Sequence, residues 1–400
     1  MAETWQNWSG GVRSTPSRIV SPRDEGELAA ALAASDEPVR VVGAGHSFTP
    51  LCATDGMLLS LDALTGLVST DATASIATVW AGTRLHDLGE PLLAAGFGLA
   101  NMGDIDRQAL AGAVSTGTHG TGRTLGSIST QVVGMRLVLA DGSVLDCSEL
   151  QEPEVLRAGR MSIGALGVIT QLTLRVLPAY RLHQRTWPAP FESCLEQLPA
   201  LVADNRHFEF FWSPADDACA MKTLNPTDLP SGELAPPIPA PGRLPRYLTP
   251  ERVDWSHRVF PSERTVPFNE MEFAVPEEAG PDCLREIRAL MRTWHPDVLW
   301  PIEYRTVRAD DIPLSPAFGR ATVTISIHQA AELPHERFFS DAEAIFRSHD
   351  GRPHWGKLHS CTAADLRDFY PEFGAFQRLR ARLDPAGRFM NPHLRAMLEE

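Results

Sequence analysis

The run Val39-Arg40-Val41-Val42-Gly43-Ala44-Gly45-His46-Ser47-Phe48 constrains the fold of this chain more than any other stretch. Three valines in four residues predict a short buried strand. The Gly-Ala-Gly that follows lets the backbone turn tightly and approach a ligand with its N–H groups exposed. Amides converging on one point satisfy a phosphate without any side chain, and glycine removes the Cβ atoms that would hold a pyrophosphate away. The run opens like the dinucleotide fingerprint G-x-G-x-x-G, but Phe48 replaces the third small residue and Pro50 opposes an immediate helix. A nicotinamide-binding Rossmann unit is therefore disfavoured. Read alone, the run is equally a strand closed by a glycine turn.

Leu110 to Gly122 changes that balance. The stretch is uncharged apart from His119 and built from small and hydroxyl residues, so it reads as a long loop offering many backbone N–H groups and no bulk. Two such loops call for one large, flat, anionic ligand.

Four hundred residues suggest two domains or one with a large insertion, and 43% apolar with 22% charged residues is ordinary for a globular chain. A net charge of −14 argues against nucleic acid or an anionic membrane as a partner. The six cysteines show no C-x-x-C pairing, no apolar run of about 18 residues is present, and Met1 to Trp5 lacks a basic region before an apolar one. The chain reads as a soluble cytoplasmic protein with reduced thiols. His119, His354 and His359 lack the spacing of a zinc site, so no metal is expected.

Along the chain, Arg18 to Val20, Val39 to Val42, Met57 to Leu61, Ser75 to Ala81, Gln131 to Leu139 and Thr170 to Leu177 read as strands. Asp24 to Ala34 and Leu85 to Ala95 read as helices. Beyond Pro178 the content changes. His207 to Trp212, Asn269 to Val275, Val298 to Arg305 and Ala321 to His328 predict strands, and 226–250 a proline-rich excursion. Leu284, Ile287, Met291 and Trp294 predict the inner face of a helix, and Ala363 to Tyr370 and Glu372 to Leu383 two more. Glu303 and Arg305, two apart on a strand with an apolar flank, share a face and can hold a polyhydroxylated substrate.

The Gly43 to Phe48 loop, the Gly112 to Gly122 loop, Glu303-Tyr304-Arg305 and His354-Trp355-Gly356-Lys357, in that order, resemble the vanillyl-alcohol-oxidase superfamily of FAD enzymes. Within it the chain is similar to the sugar-lactone and alditol oxidase branch, most of all to arabinonolactone and gulonolactone oxidases. The resemblance implies an α+β, two-domain PCMH-type fold: residues 1–178 binding FAD, 179–357 forming an α+β substrate (cap) domain, and 358–400 returning to the first. It implies FAD joined covalently through His46 to the 8α carbon. Contacts to FAD are implied for Val42, Gly43, Ala44, Gly45, Ser47, Phe48, Gly103, Asp104, Gly112, Ser115, Thr116, Gly117, His119, Gly120, Gly122, Gly167 and Ile169.

The same resemblance makes Glu303, Arg305 and Lys357 the catalytic residues, and adds Asp104, His328 and Gln329 to the substrate pocket. Gly103 would leave room for dioxygen beside the flavin, whereas Asp104 replaces a serine found in some relatives. The segment 309–315 favours a lactone as substrate, oxidised by hydride transfer to flavin N5 with dioxygen reduced to hydrogen peroxide. An alditol oxidase, a lactone dehydrogenase using another acceptor, and a flavin- or NAD-binding module without turnover are the alternatives.

Overall fold

The computed structural model describes residues 4–262 and 266–399. Strands Arg18–Val20 and Val39–Val42 both run parallel to Met57–Ser60, which lies between them. Helix Glu25–Ala33 makes the crossover. The Asp24 side chain accepts the Glu27 amide at 2.8 Å to cap it, and Leu28 and Leu32, one turn apart, are fully buried. This small α/β unit leaves the Gly43 loop at the open end of a buried strand. A second, antiparallel sheet follows, in the order Val144–Ser148, Val132–Val138, Val168–Arg175, Ile76–Trp80, Leu67–Asp71.

The stretch Leu110 to Gly122 is not a loop throughout. Leu110–Thr116 is a helix whose Leu110, Ala113 and Val114 are wholly buried, and Gly117, at φ +78°, ends it in the left-handed region. Only the part after Gly117 keeps the expected irregular backbone.

Among the described residues the rest of the chain builds one nine-stranded antiparallel sheet. Its order is Gly232–Ala235, Glu251–Trp255, Arg181–Pro190, Ala218–Thr227, His207–Ser213, Ile302–Val307, Thr322–Ala330, Phe268–Pro276, Arg352–Pro353. Helices Phe191–Asp204, Gly280–Trp294 and Glu336–Ser348 cover one face. Phe210 stacks on Tyr304 at 4.8 Å and Phe273 on Phe346 at 5.1 Å beneath them. Alternation along each strand then sends Glu209, Glu270, Glu272, Glu303 and Arg305 to the opposite face, toward the glycine loops.

Three expectations shift here. Trp294 is 69% exposed, because as the last helical residue it has left the cover of the sheet. The strand expected from Val298 starts at Ile302, since Pro301 has no N–H to give to a ladder. The excursion 226–250 contains the edge strand Gly232–Ala235.

The C-terminal residues lock onto the first sheet. The Val39 amide donates to the Arg388 carbonyl at 2.7 Å, and Asn391 Nδ2 donates to the carbonyls of Pro50 and Ala53, each at 2.8 Å. Arg40, buried in the first strand pair, donates to the carbonyls of Leu51 (2.6 Å), Ile163 (2.9 Å), Gly164 (3.0 Å) and Phe389. Burial lowers this guanidinium to about 10, and four carbonyl acceptors compensate it.

Candidate active site

Two cavities meet at His46. The first encloses about 970 Å³, part of it open to solvent, between the Gly43 loop, helix Leu110–Thr116 and the turn at 163–169. Its lining includes Val42, Gly43, Ala44, Gly45, His46, Ser47, Gly112, Ser115, Thr116, Gly167 and Ile169. The two loops pack so closely that a Cβ on Gly43 would stand 2.6 Å from the Ala109 methyl, whereas one on Gly112 would meet nothing within 4 Å. Among the described residues the amides of Ala44, Gly45, His46 and Ser47 find no acceptor within the protein. Unclaimed N–H groups in a half-buried loop are costly unless a ligand accepts from them, and a pyrophosphate does. The cleft therefore fits FAD.

The second cavity, about 630 Å³, lies between this cleft and the polar face of the large sheet, sharing His46, Ser47, Gln108 and Thr116 with the first. Three strands, Ile302–Val307, Thr322–Ala330 and Phe268–Pro276, form one of its walls, and His207–Ser213 and Ala218–Thr227 continue the polar rows beside it, at a smaller adjoining chamber. Lys222, Glu209 and Arg305 are cross-strand neighbours in register, as are Glu303, Ser326 and Glu272 in the next row. Arg305 donates from Nε to Glu209 at 2.7 Å and pairs with Glu303 at 2.5 Å and Asp104 at 3.4 Å. Burial opposes its charge, but Glu303, Glu209 and Asp104 outweigh that and raise its pKa further above the ordinary guanidinium range. Lys222 holds the other oxygen of Glu209 at 2.8 Å. Against burial, Lys222 and Arg305 keep Glu209 ionised down to about 2.

On the next strand Glu270 pairs with Lys357, and Glu272 accepts from His119 Nε2 at 2.9 Å and from Ser326 Oγ at 2.7 Å. Burial works against both carboxylates. Lys357 and His328 nevertheless hold Glu270 at about 2, and His119 holds Glu272 well below the usual range. The His119 imidazole is raised in turn, because Glu272 outweighs its burial. His46 goes the other way, lowered to about 4 by burial, Lys357 and Arg84, so its ring is neutral and carries a free lone pair near pH 7.

The structure gathers most of the residues expected from sequence and separates a few. Asp104, Glu303, Arg305, His328 and Lys357 line the second cavity together, with Gly103 and His119 beside them. Gln329 does not, because it follows His328 on the strand and points to the opposite face, where its Oε1 accepts the Ala330 amide. Gly120 and Gly117 border smaller side chambers, Gly122 forms a bridge to Val307, and the Phe48 side chain lies in the core with Lys357 Nζ 5.1 Å above its ring. None of these four faces the cleft. Glu270, Glu272 and His354 on the second cavity, and Ile163 and Gly164 on the first, went unassigned from sequence.

Comparison with known proteins places the chain firmly. The family model described as D-arabinono-1,4-lactone oxidase matches residues 172–243 and 242–397, and a model of an FAD binding domain matches 16–148. An L-gulono-1,4-lactone dehydrogenase of Mycobacterium tuberculosis is 37% identical over the full length of both chains. An L-gulonolactone oxidase of Mus musculus is 30% identical over 98% of this chain and 97% of its own, and an alditol oxidase of a Streptomyces species 33% identical over the whole of both. A solved cholesterol oxidase from B. sterolicum shares the fold, with a TM-score of 0.84 at 17% identity over 99% of this chain and 96% of its own. No helix among the described residues is long and apolar enough to cross a membrane.

Proposed function

The chain belongs to the D-arabinono-1,4-lactone oxidase family, and from that premise we propose that it is an FAD-dependent oxidase of aldonolactones of the D-arabinono-1,4-lactone or L-gulono-1,4-lactone type. The observation that carries this reading is the junction of an amide-lined cleft with a buried polar chamber at a single neutral histidine. FAD, when bound, supplies a two-electron acceptor for the hydride of a carbinol carbon. The chain's own residues do the rest. The amides of Ala44 to Ser47 would hold the pyrophosphate, and His46, at the junction of the two cavities, would be the residue that carries a covalent tie to the flavin.

Arg305 and Lys357 are fixed by Glu209 and Glu270, so their remaining N–H donors are aimed before the substrate arrives. Glu303 accepts from the substrate's hydroxyls. A sugar lactone presents several such hydroxyls and little apolar surface, which matches a wall built of paired charges. Dioxygen is the proposed electron acceptor, giving hydrogen peroxide; Gly103 borders the chamber, but the space a Cβ there would take is filled by the Thr118 methyl, 2.9 Å away.

A second reading, a lactone dehydrogenase using another acceptor, is favoured by the name of the mycobacterial relative. One set of assays separates the readings. Oxygen uptake and dye reduction are measured with arabinono-, gulono- and galactonolactone, and with xylitol and sorbitol. Peroxide formed with lactones supports the oxidase; dye reduction alone supports the dehydrogenase; turnover of open-chain polyols alone overturns the lactone assignment. Protein that stays yellow after acid precipitation supports the covalent link.

A further inference from the structure

A ligating or reacting imidazole is usually aimed by a hydrogen bond to its second nitrogen. His46 has no such bond: among the described residues neither of its ring nitrogens meets a donor or acceptor of the protein, and its ring contact is with Trp8, 5.3 Å between centroids and 31° from parallel. The turn that carries His46 is held from the same side. Trp5–Gln6 pairs with Arg13–Ser14 in a short hairpin, and Asn7 and Trp8 follow its first strand. The Trp8 amide donates to the Gly45 carbonyl at 2.8 Å, and Asn7 Nδ2 donates to the Ser47 carbonyl at 3.0 Å.

Asn7 is fixed in turn. It is 3% exposed, its amide donates to the Val12 carbonyl at 3.0 Å, and its Oδ1 accepts the Val12 amide at 2.9 Å. The carbonyl and N–H of one trans peptide point in opposite directions. Drawing the Gly45 carbonyl toward Trp8 therefore turns the His46 amide away from the hairpin. Drawing the Ser47 carbonyl toward Asn7 turns the Phe48 amide onto the Gly356 carbonyl, 2.8 Å away. The Trp8 ring also stands edge-on to Phe268, at 5.2 Å and 74°. Phe268 opens a strand that walls the second cavity, so Trp8 links the imidazole to the large sheet as well as to its own turn.

We propose that Asn7 and Trp8 are positioning residues for His46, holding its turn and its ring in the orientation from which a ring nitrogen reaches the methyl carbon of the flavin. Neither residue lines either cavity, so both act through His46. The inference rests on the covalent FAD reading above. In that tie one C–H bond of the methyl group and the N–H bond of the ring break, and the N–H electron pair forms the C–N bond. The C–H electron pair and both protons pass to dioxygen, the acceptor of that reading, as hydrogen peroxide. A reaction of this kind depends on near-attack geometry, which packing against Trp8 supplies in place of a hydrogen bond.

The test loads the full-length chain, made in flavin-starved cells, with FAD in air. Acid-precipitable flavin is followed over time, beside FAD affinity and melting temperature. Misplacement by about 1 Å costs about 10²-fold in rate, so Trp8→Ala is expected to gain acid-stable flavin on the order of 10²-fold more slowly than wild type, with FAD affinity changed only a few-fold. Trp8→Phe returns an aromatic face to the imidazole and should recover most of the rate. Asn7→Asp keeps the acceptor for the Val12 amide and loses the donor to Ser47, so it should slow the tie although the Trp8–His46 contact is untouched.

Acid-stable flavin gained at the wild-type rate by folded Trp8→Ala or, where that variant does not fold, by Asn7→Asp overturns the assignment. So does a Trp8→Phe no faster than Trp8→Ala, or an FAD affinity that falls in step with the rate, since either marks the hairpin as packing only. Wild-type protein that binds FAD yet never holds it through acid overturns the covalent reading and this one together. A wild-type tie that the variants leave unchanged overturns this one alone.

Discussion

Arg305 is held by three carboxylates on three different elements, and its planar fork is what lets it face Glu209 and Glu303 together. Lysine at this position keeps the charge but not the geometry. Arg305→Lys is therefore expected to lower kcat/KM on the order of 10²-fold, with the flavin spectrum unchanged, in steady-state assays on lactones. Glu209 and Glu270 both sit at about 2 in the fold against an ordinary 4.5, so their contribution to stability is complete above about pH 4.5 and drains away as pH falls toward 2. Urea midpoints measured between pH 6 and 3 should fall with acid in wild type and fall less steeply in Glu270→Gln. For His46→Ala, the flavin should pass into the supernatant on acid precipitation, whereas wild type keeps it in the pellet.

What sequence could show at this scale depended on spacing. Glu303 and Arg305 were legible because two residues on a strand share a face. Glu270 and Glu272 sit in an equally regular alternation, but the pattern is identical whether the polar face meets water or a cavity, and only the packed neighbour decides. Gln329 shows the converse, since adjacency to His328 placed it on the wrong side of the sheet.

Among elements, the contact between the Gly43 turn and the residue preceding helix Leu110–Thr116 matters most. A methyl on Gly43 must displace Ala109, so Gly43→Ala should lower both the melting temperature and the ratio of flavin to protein absorbance. Gly112 makes the matching control. Its Cβ would point into open space, so Gly112→Ala should melt no lower than wild type in the flavin-free state yet bind less flavin, because the methyl occupies the cleft.

This helix escaped a reading from composition, since glycine, serine and threonine have low helical propensity and only the burial of Leu110, Ala113 and Val114 overrides it. The long strands Arg181–Pro190 and Ala218–Thr227 were hidden for a related reason. Prolines at 188, 190 and 226 argue against central strands, yet all three lie at or near strand ends, where a missing N–H costs least. The helix–sheet framework around the Gly43 loop was readable because each of its elements is short, apolar and punctuated by glycine or proline.

At the scale of the molecule, the polar face of the large sheet closes over the N-terminal cleft, so the second cavity takes its walls from both halves of the chain while the first is lined by the N-terminal half alone. The first sheet also depends on the last residues. Arg388 gives its carbonyl to Val39 and its guanidinium to the carbonyls of Leu32 (3.0 Å), Ser35 and Ala140, and Asn391 spans Pro50 and Ala53. A chain ending at Leu383 loses these contacts and leaves Arg40 short of an acceptor. Such a truncation is expected to emerge colourless and to lose its cooperative melting transition, as judged by absorbance and calorimetry, although the glycine loops themselves are intact.

The bond between Val39 and Arg388 also sets an order in time. Arg388 follows Gly43 by 345 residues, so the strand that aims this turn stays unbraced until the segment carrying Arg388 has been made. Cofactor loading is therefore expected to follow synthesis of that segment, and a nascent N-terminal half without it is expected to grip a dinucleotide only weakly.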